Sequence, residues 1–176
     1  MKKTVLVYKS KYGSTGKYAK WIAEKLNCDV FEADLIDKNK LLRYDVIIFG
    51  GGLYASGING ISLITKNFAE LKDKELIVFT VGLADPQIKE QFTPIIDKNF
   101  DDEMKEKIKI FHLRGGIDYK KLGLVHKTMM KMLANMVKKR PNKTDEEQMM
   151  VDTYGSVVDF TDINSIQPLV SYVTSL

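Results

Sequence analysis

The stretch VLVYKSKYGSTGKYAKWIAEKL, Val5 to Leu26, runs from a hydrophobic segment through a loop of small hydroxyl residues and glycine into an amphipathic pattern. Tyr18, Ile22 and Leu26 recur at i, i+4 and i+8 with Ala19 and Ala23 beside them, one face of a helix able to pack on a sheet. The joining loop, Ser10 to Thr15, carries three hydroxyls, on Ser10, Ser14 and Thr15. Gly13 lets the backbone turn tightly, and the first-turn amides of the helix point back at the loop, so the segment suits a phosphate. Ser14 or Thr15 capping the helix is the alternative, but capping alone would not call for so many hydroxyls directly after the first strand. A magnesium-nucleotide P-loop fits poorly. Gly16 and Lys17 precede Tyr18 where a Ser or Thr is needed, and Lys11 stands at the first glycine position.

Outward from this unit, apolar runs alternate with helical patterns. Lys3–Tyr8, a weaker Asp29–Asp34, Asp45–Gly50, Glu75–Gly82 and Lys107–Leu113 read as strands. Helices are expected over about 59–72, over 86–98 and near the C-terminus. The longer strands are nearly continuously apolar, which implies burial on both faces. Five strands separated by helices argue for an α/β fold with an open, mostly parallel sheet covered on both sides. In such sheets ligands bind beyond the carboxyl ends of the strands where strand order reverses, so the loops after the first, third, fourth and fifth strands are the candidates. The third-strand loop, GGGLYASGING from Gly50 to Gly60, has glycines that let something flat approach the backbone and a Tyr54 able to cover an aromatic ring. Its match to a dinucleotide fingerprint at Gly50, Gly52 and Ala55 is weak, because it follows the third strand and Glu70 falls inside an expected helix. A glycine-rich turn with Tyr54 exposed is the plain alternative.

With 176 residues, 44% of them hydrophobic, the chain is expected to form one domain over residues 1–176. The lone Cys28 points to a reducing compartment and a small buried apolar role. The N-terminal apolar run is too short for a signal sequence and no run suits a membrane span, so a cytoplasmic protein is expected. Lys120 to Lys143 holds eight Lys or Arg and no acid, whereas Thr144 to Leu176 holds six acids and no Lys or Arg. By itself such a basic run reads as a solvated face. No motif of a nucleic-acid reader accompanies it, and no metal site is expected.

The hydroxyl loop Ser10–Thr15, the glycine and aromatic loop Gly50–Gly57 and the strand spacing resemble the flavodoxin-like family of FMN-binding proteins. The resemblance implies a doubly wound five-stranded parallel sheet of order 2-1-3-4-5 with FMN at the switch point. It also assigns the FMN phosphate to Ser10, Lys11, Tyr12, Gly13, Ser14 and Thr15. Tyr12 stands where the family pattern usually has a hydroxyl residue. Around the flavin ring it places Gly51, Gly52, Leu53, Tyr54, Ala55 and Ser56, then Gly82, Leu83, Ala84 and Asp85, then Gly115, Gly116, Asp118 and Tyr119. Asp85 and Asp118 could equally be turn or cap residues. No catalytic side chain is expected, since the flavin carries the redox chemistry. His112 reads as a core histidine, His126 as an exposed residue of a basic helix, and Trp21 as packing on the first helix.

After the fifth strand, an insert over about 114–150 and a later Thr161-Asp162 pair are similar to the subfamily containing quinone-dependent protoporphyrinogen dehydrogenases. That resemblance implies an FMN-dependent oxidoreductase with a quinone or other carrier as acceptor. The alternative is a soluble electron-transfer flavodoxin with protein redox partners, although the fourth-strand loop lacks an aromatic and the chain is basic. Within the insert, Leu122, Val125, Met129, Met132, Leu133 and Met136 form an apolar helical stripe flanked by Lys127, Lys131, Lys138 and Lys139. A Met-rich face suits an irregular hydrophobic ligand. A basic amphipathic helix can also lie on an anionic membrane at its inner face. The stripe could instead complete the core or a dimer interface.

Overall fold

The computed structural model describes residues 2–176. Its strands are β1 (Thr4–Lys9), β2 (Asp29–Glu32), β3 (Val46–Tyr54), β4 (Gly57–Ile58), β5 (Glu75–Gly82), β6 (Ile108–Arg114), β7 (Gly116–Asp118) and β8 (Val157–Asp159). Its helices are α1 (Ser14–Leu26), α2 (Lys38–Leu41), α3 (Ser62–Thr65), α4 (Phe68–Leu71), α5 (Thr93–Asn99), α6 (Asp102–Lys107), α7 (Leu124–Lys138), α8 (Asp145–Asp152) and α9 (Gln167–Thr174). The main sheet runs β2-β1-β3-β5-β6, all parallel, with β4 pairing antiparallel to β3. Its five parallel strands occur in the expected 2-1-3-4-5 order, a flavodoxin-like α/β arrangement. The order reverses at β1, whose neighbours are β2 and β3.

Why the strands are apolar throughout is visible in their alternation. Val5, Val7, Ile47, Phe49 and Val78 enter one core, against the side that carries Leu41, Ile64, Phe68 and Leu71. Leu6, Ile48, Ile77 and Phe79 enter the other, against Tyr18, Ala19 and Ile22 of α1 and Leu169 and Val173 of α9. The face of α1 is the one its periodicity predicts, and the helix stops at Asn27, a left-handed residue whose N–H donates to the Ala23 carbonyl. Near the carboxyl end of β3, Gly50 pairs in register with Phe79, whose ring folds over it. A Cβ on Gly50 would sit 2.1 Å from Phe79 Cζ.

Four features depart from the expected outline. The helix expected over 59–72 is two single turns, α3 and α4, broken at Lys66-Asn67, while the one expected over 86–98 begins only at Thr93. A two-residue hairpin, Ala55-Ser56, joins β3 to β4, with both residues left-handed (φ 48° and 63°) as a type I′ turn requires. The segment after β6 folds as β7, α7, α8 and β8. Strands β7 and β8 close it as an antiparallel pair, Gly116 opposite Asp159, and then Asp162 starts the turn leading into α9. Glycine at 116 and three-residue lengths hide β7 and β8 from strand periodicity.

Candidate functional site

One cavity opens at the carboxyl edge of the sheet, at the β1/β3 switch point. Ser10, Tyr12, Ser14 and Thr15 form one end, Gly52 to Ala55 and Val81 to Leu83 the side walls, and Gly115 to Asp118 the floor, while Leu122, just before α7, and His126, Met129 and Met130 on α7 close it. Loops separated by about a hundred residues therefore share one site.

The hydroxyl end has the geometry of an anion site. The residue capping α1 is Gly13 (φ 101°), no side chain caps the helix, and its first turn holds no acid. The positive end of the helix is therefore left without a compensating group. Ser10 Oγ accepts from the Gly13 N–H at 3.2 Å, shaping the loop, and Ser14 Oγ accepts from the Gly116 N–H at 3.2 Å, fastening it to β7. Thr15 is buried against the cavity. Neither Ser14 nor Thr15 acts as the helix cap.

At the other end, Tyr54 lies back over Gly52, where an added Cβ would come within 3.0 Å of Tyr54 Cε2 and Oη. Burial pushes its phenol up to about 12, so it is neutral at any physiological pH. The imidazole of His126 stacks on Tyr54 with centroids 4.9 Å apart and planes 9° from parallel. Tyr12 meets both rings edge-on, and its hydroxyl lies 2.7 Å from His126 Nδ1 and accepts from the Gly123 N–H at 3.3 Å. Tyr12 thus ties the hydroxyl loop to the insert.

Several expected site residues sit elsewhere. Gly51 lies off the cavity, its open side filled by Ile58 Cγ2 and the Asn59 carbonyl at 2.5 and 2.8 Å from an added Cβ. Lys11 and Gly13 shape the hydroxyl loop without lining the cavity, and Lys11 Nζ lies over the Tyr12 ring. The Ser56 carbonyl accepts from Asn99 Nδ2 in the hairpin turn. Asp85 donates its N–H to Glu146 Oε1 at 2.7 Å, which pins the β5 loop to α8. Ala84 and Tyr119 line a second cavity under α7 and α8, where Tyr119 packs against Tyr154. Asp118 does reach the first cavity.

The insert is where sequence reasoning missed most. The sequence reads His126 as exposed on a basic helix, but it is half-buried and turned into the cavity by Tyr12 and Tyr54. Its spacing to Leu122 and Met130, i−4 and i+4, was the available signal. The apolar stripe does not act as one face. Ala134 and Val137 seat α7 at 2% and 3% exposure, whereas Val125, Met132 and Met136 are 71%, 68% and 54% exposed. Elsewhere, His112 is the satisfied core histidine expected, bonded to Thr80 Oγ1 at 2.7 Å, stacked on Phe92 and pushed down to about 4 by burial. Thr161 accepts from Lys17 Nζ at 2.6 Å, and the Asp162 N–H donates to Tyr18 Oη at 3.0 Å, so this pair fastens the returning chain to α1.

Among known families, the flavodoxin domain matches residues 5–145. An uncharacterized protein of Methanocaldococcus jannaschii is 27% identical over 147 residues, covering 81% of this chain and 90% of its own. Among solved structures, a flavoprotein in complex with FMN from Lactobacillus acidophilus aligns at TM-score 0.45 and 15% identity, covering 65% of this chain and 93% of that one. The Trp repressor binding protein of Bacillus subtilis aligns at TM-score 0.46 and 18% identity, covering 64% of this chain and 83% of that one.

Proposed function

The chain belongs to the flavodoxin domain family, and from that premise we propose that it is an FMN-dependent oxidoreductase. The observation that carries this reading is the single cavity joining an uncapped helix N-terminus, ringed by hydroxyls, to an apolar slot beside Tyr54. The residues fit the cofactor's two ends. The first-turn amides of α1 with Ser10, Ser14 and Thr15 would hold the phosphate, and Tyr54, Leu53 and Leu83 would line the ring. When bound, FMN supplies hydride and single-electron chemistry. The protein's own residues bind and orient it, and Leu122, Met129 and Met130 exclude water from the mouth of the site.

For the substrate, we infer a reduced, hydrophobic, porphyrinogen-like molecule, with a quinone or similar carrier as acceptor. This rests on the Met-rich roof of the cavity and on the exposed apolar arc of α7, with exposed Lys127, Lys131 and Lys138 around the far side of the same helix. The same arc suits peripheral attachment to an anionic membrane, where a quinone resides. Among the described residues no helix is long and apolar enough to cross a membrane. The exposed lysines also favour a second reading, an electron-transfer flavodoxin that docks an acidic redox protein. Protoporphyrinogen oxidation by the FMN-loaded protein with a short-chain quinone separates the two. Turnover supports the enzyme; absence of turnover, with rapid electron exchange to a redox protein, supports the carrier.

A further inference from the structure

We propose that His126, carried by the insert helix α7, is the second aromatic wall of the flavin site and faces Tyr54 across the ring. The inference rests on the FMN reading above. Flavins bound between two aromatic side chains gain from contact on both faces, and here the loop after β5, Leu83 to Gln87, has no aromatic to offer. Tyr54 has one face lying over Gly52 and meets the edge of Tyr12. Its remaining face is covered by His126, 9° from parallel, at a centroid distance of 4.9 Å. Two parallel rings at stacking distance leave no gap between them, and a third ring takes its place there only if they part.

The slot must widen to admit it. A ring between two others needs a van der Waals contact of about 3.5 Å on each side, hence about 7 Å between the outer planes. With the centroids now 4.9 Å apart, that asks α7 to swing outward by at least about 2 Å at its N-terminal turn. The helix is seated to allow this. Its buried anchors, Ala134 and Val137, lie in the C-terminal half, whereas Leu124 and Val125 at the start are 84% and 71% exposed. What holds the N-terminal turn is the Tyr12 hydroxyl, bonded to His126 Nδ1 and to the Gly123 amide. This also gives Tyr12 a role at a position where a small hydroxyl residue would reach neither partner.

The test is equilibrium titration of the flavin-free full chain with FMN and, separately, with riboflavin, for wild type, His126→Ala, His126→Phe, and Val125→Ala on the outer face of the same helix. His126→Ala is expected to weaken FMN and riboflavin by the same factor, about 3- to 10-fold, the value of one aromatic contact. His126→Phe should stay within about 3-fold of wild type, and Val125→Ala should bind as wild type does. Wild-type uptake of FMN with His126→Ala unchanged would overturn this assignment and leave the FMN reading standing. A loss for FMN but not riboflavin would place His126 at the phosphate end and also overturn it. No uptake by wild type would overturn both.

Discussion

Replacing Gly50 with alanine is expected to destabilise the protein severely, for a reason that lies in the sheet and not in the cofactor. Gly50 and Phe79 are register partners on β3 and β5. An alanine Cβ would stand 2.1, 2.5 and 2.7 Å from Phe79 Cζ, Cε1 and Cε2, against a comfortable contact of about 3.5–4.0 Å. The ring would have to retreat by more than about 1 Å, yet Phe79 is completely buried between the central strands and α1. Overpacking of this kind costs about 1–3 kcal/mol when side chains can rearrange, and here we expect about 3 kcal/mol, read as a lower urea midpoint at unchanged slope. The companion variant Phe79→Leu alone should cost about 2 kcal/mol through the lost ring. Gly50→Ala combined with Phe79→Leu should then be less destabilised than the sum by about 2 kcal/mol, because leucine vacates the space the new methyl needs. Since Gly50 does not line the cavity, the folded fraction should bind flavin with unaltered affinity. A Gly50→Ala cost below about 0.5 kcal/mol, or strict additivity of the pair, would refute the packing account.

Three further outcomes follow from the same structure. Burial holds the His112 imidazole down at about 4, against about 6.5 in the unfolded chain. The unfolded state therefore binds the extra proton, and stability falls as pH drops from about 6.5 towards 4, by about 2–3 kcal/mol at the lower limit. Urea midpoints of His112→Gln should show a flatter pH dependence across that window, and parallel curves for the two proteins would contradict it. Ser56→Gly relieves a left-handed residue in the β3–β4 hairpin and should raise stability by about 0.5–1 kcal/mol; a lower melting temperature would count against the turn geometry. Burial and the neighbouring Asp29 push the Cys28 thiol up to about 11, so thiol reagents at pH 7.5 should label the native protein far more slowly than the urea-unfolded one, and equal rates would disprove it.

The parts of the molecule that follow local rules could be read from the chain. Buried parallel strands such as Val46 to Gly52 are continuous apolar runs, and α1 declares itself by a four-residue repeat after a hydroxyl loop. What escaped depends on contacts far apart in sequence. Gly50 and Gly51 look like room for a ligand, but Phe79 and Ile58 occupy that room, and only the register of β3 with β5 and β4 decides it. His126 looks like one more polar residue on a basic helix until the fold brings Tyr12 to within 2.7 Å of it. The apolar stripe of α7 has a correct period but an unpredicted partner: seating through Ala134 and Val137 turns Val125, Met132 and Met136 outward. Strands as short as β7 and β8 carry too few residues for any period to register.

The most direct test of the account is the binding of FMN and of riboflavin to the purified protein and to Thr15→Val, followed by visible absorption. Thr15 is buried at the uncapped start of α1, and a hydroxyl donated to a charged phosphate is worth about 1.5–3 kcal/mol. Wild type is predicted to take up FMN close to one per chain. Thr15→Val should lose about 10- to 150-fold in FMN affinity while binding riboflavin unchanged. A protein that takes up no FMN, or a Thr15→Val variant that binds FMN as tightly as wild type, would contradict the assignment of this loop to the cofactor's phosphate.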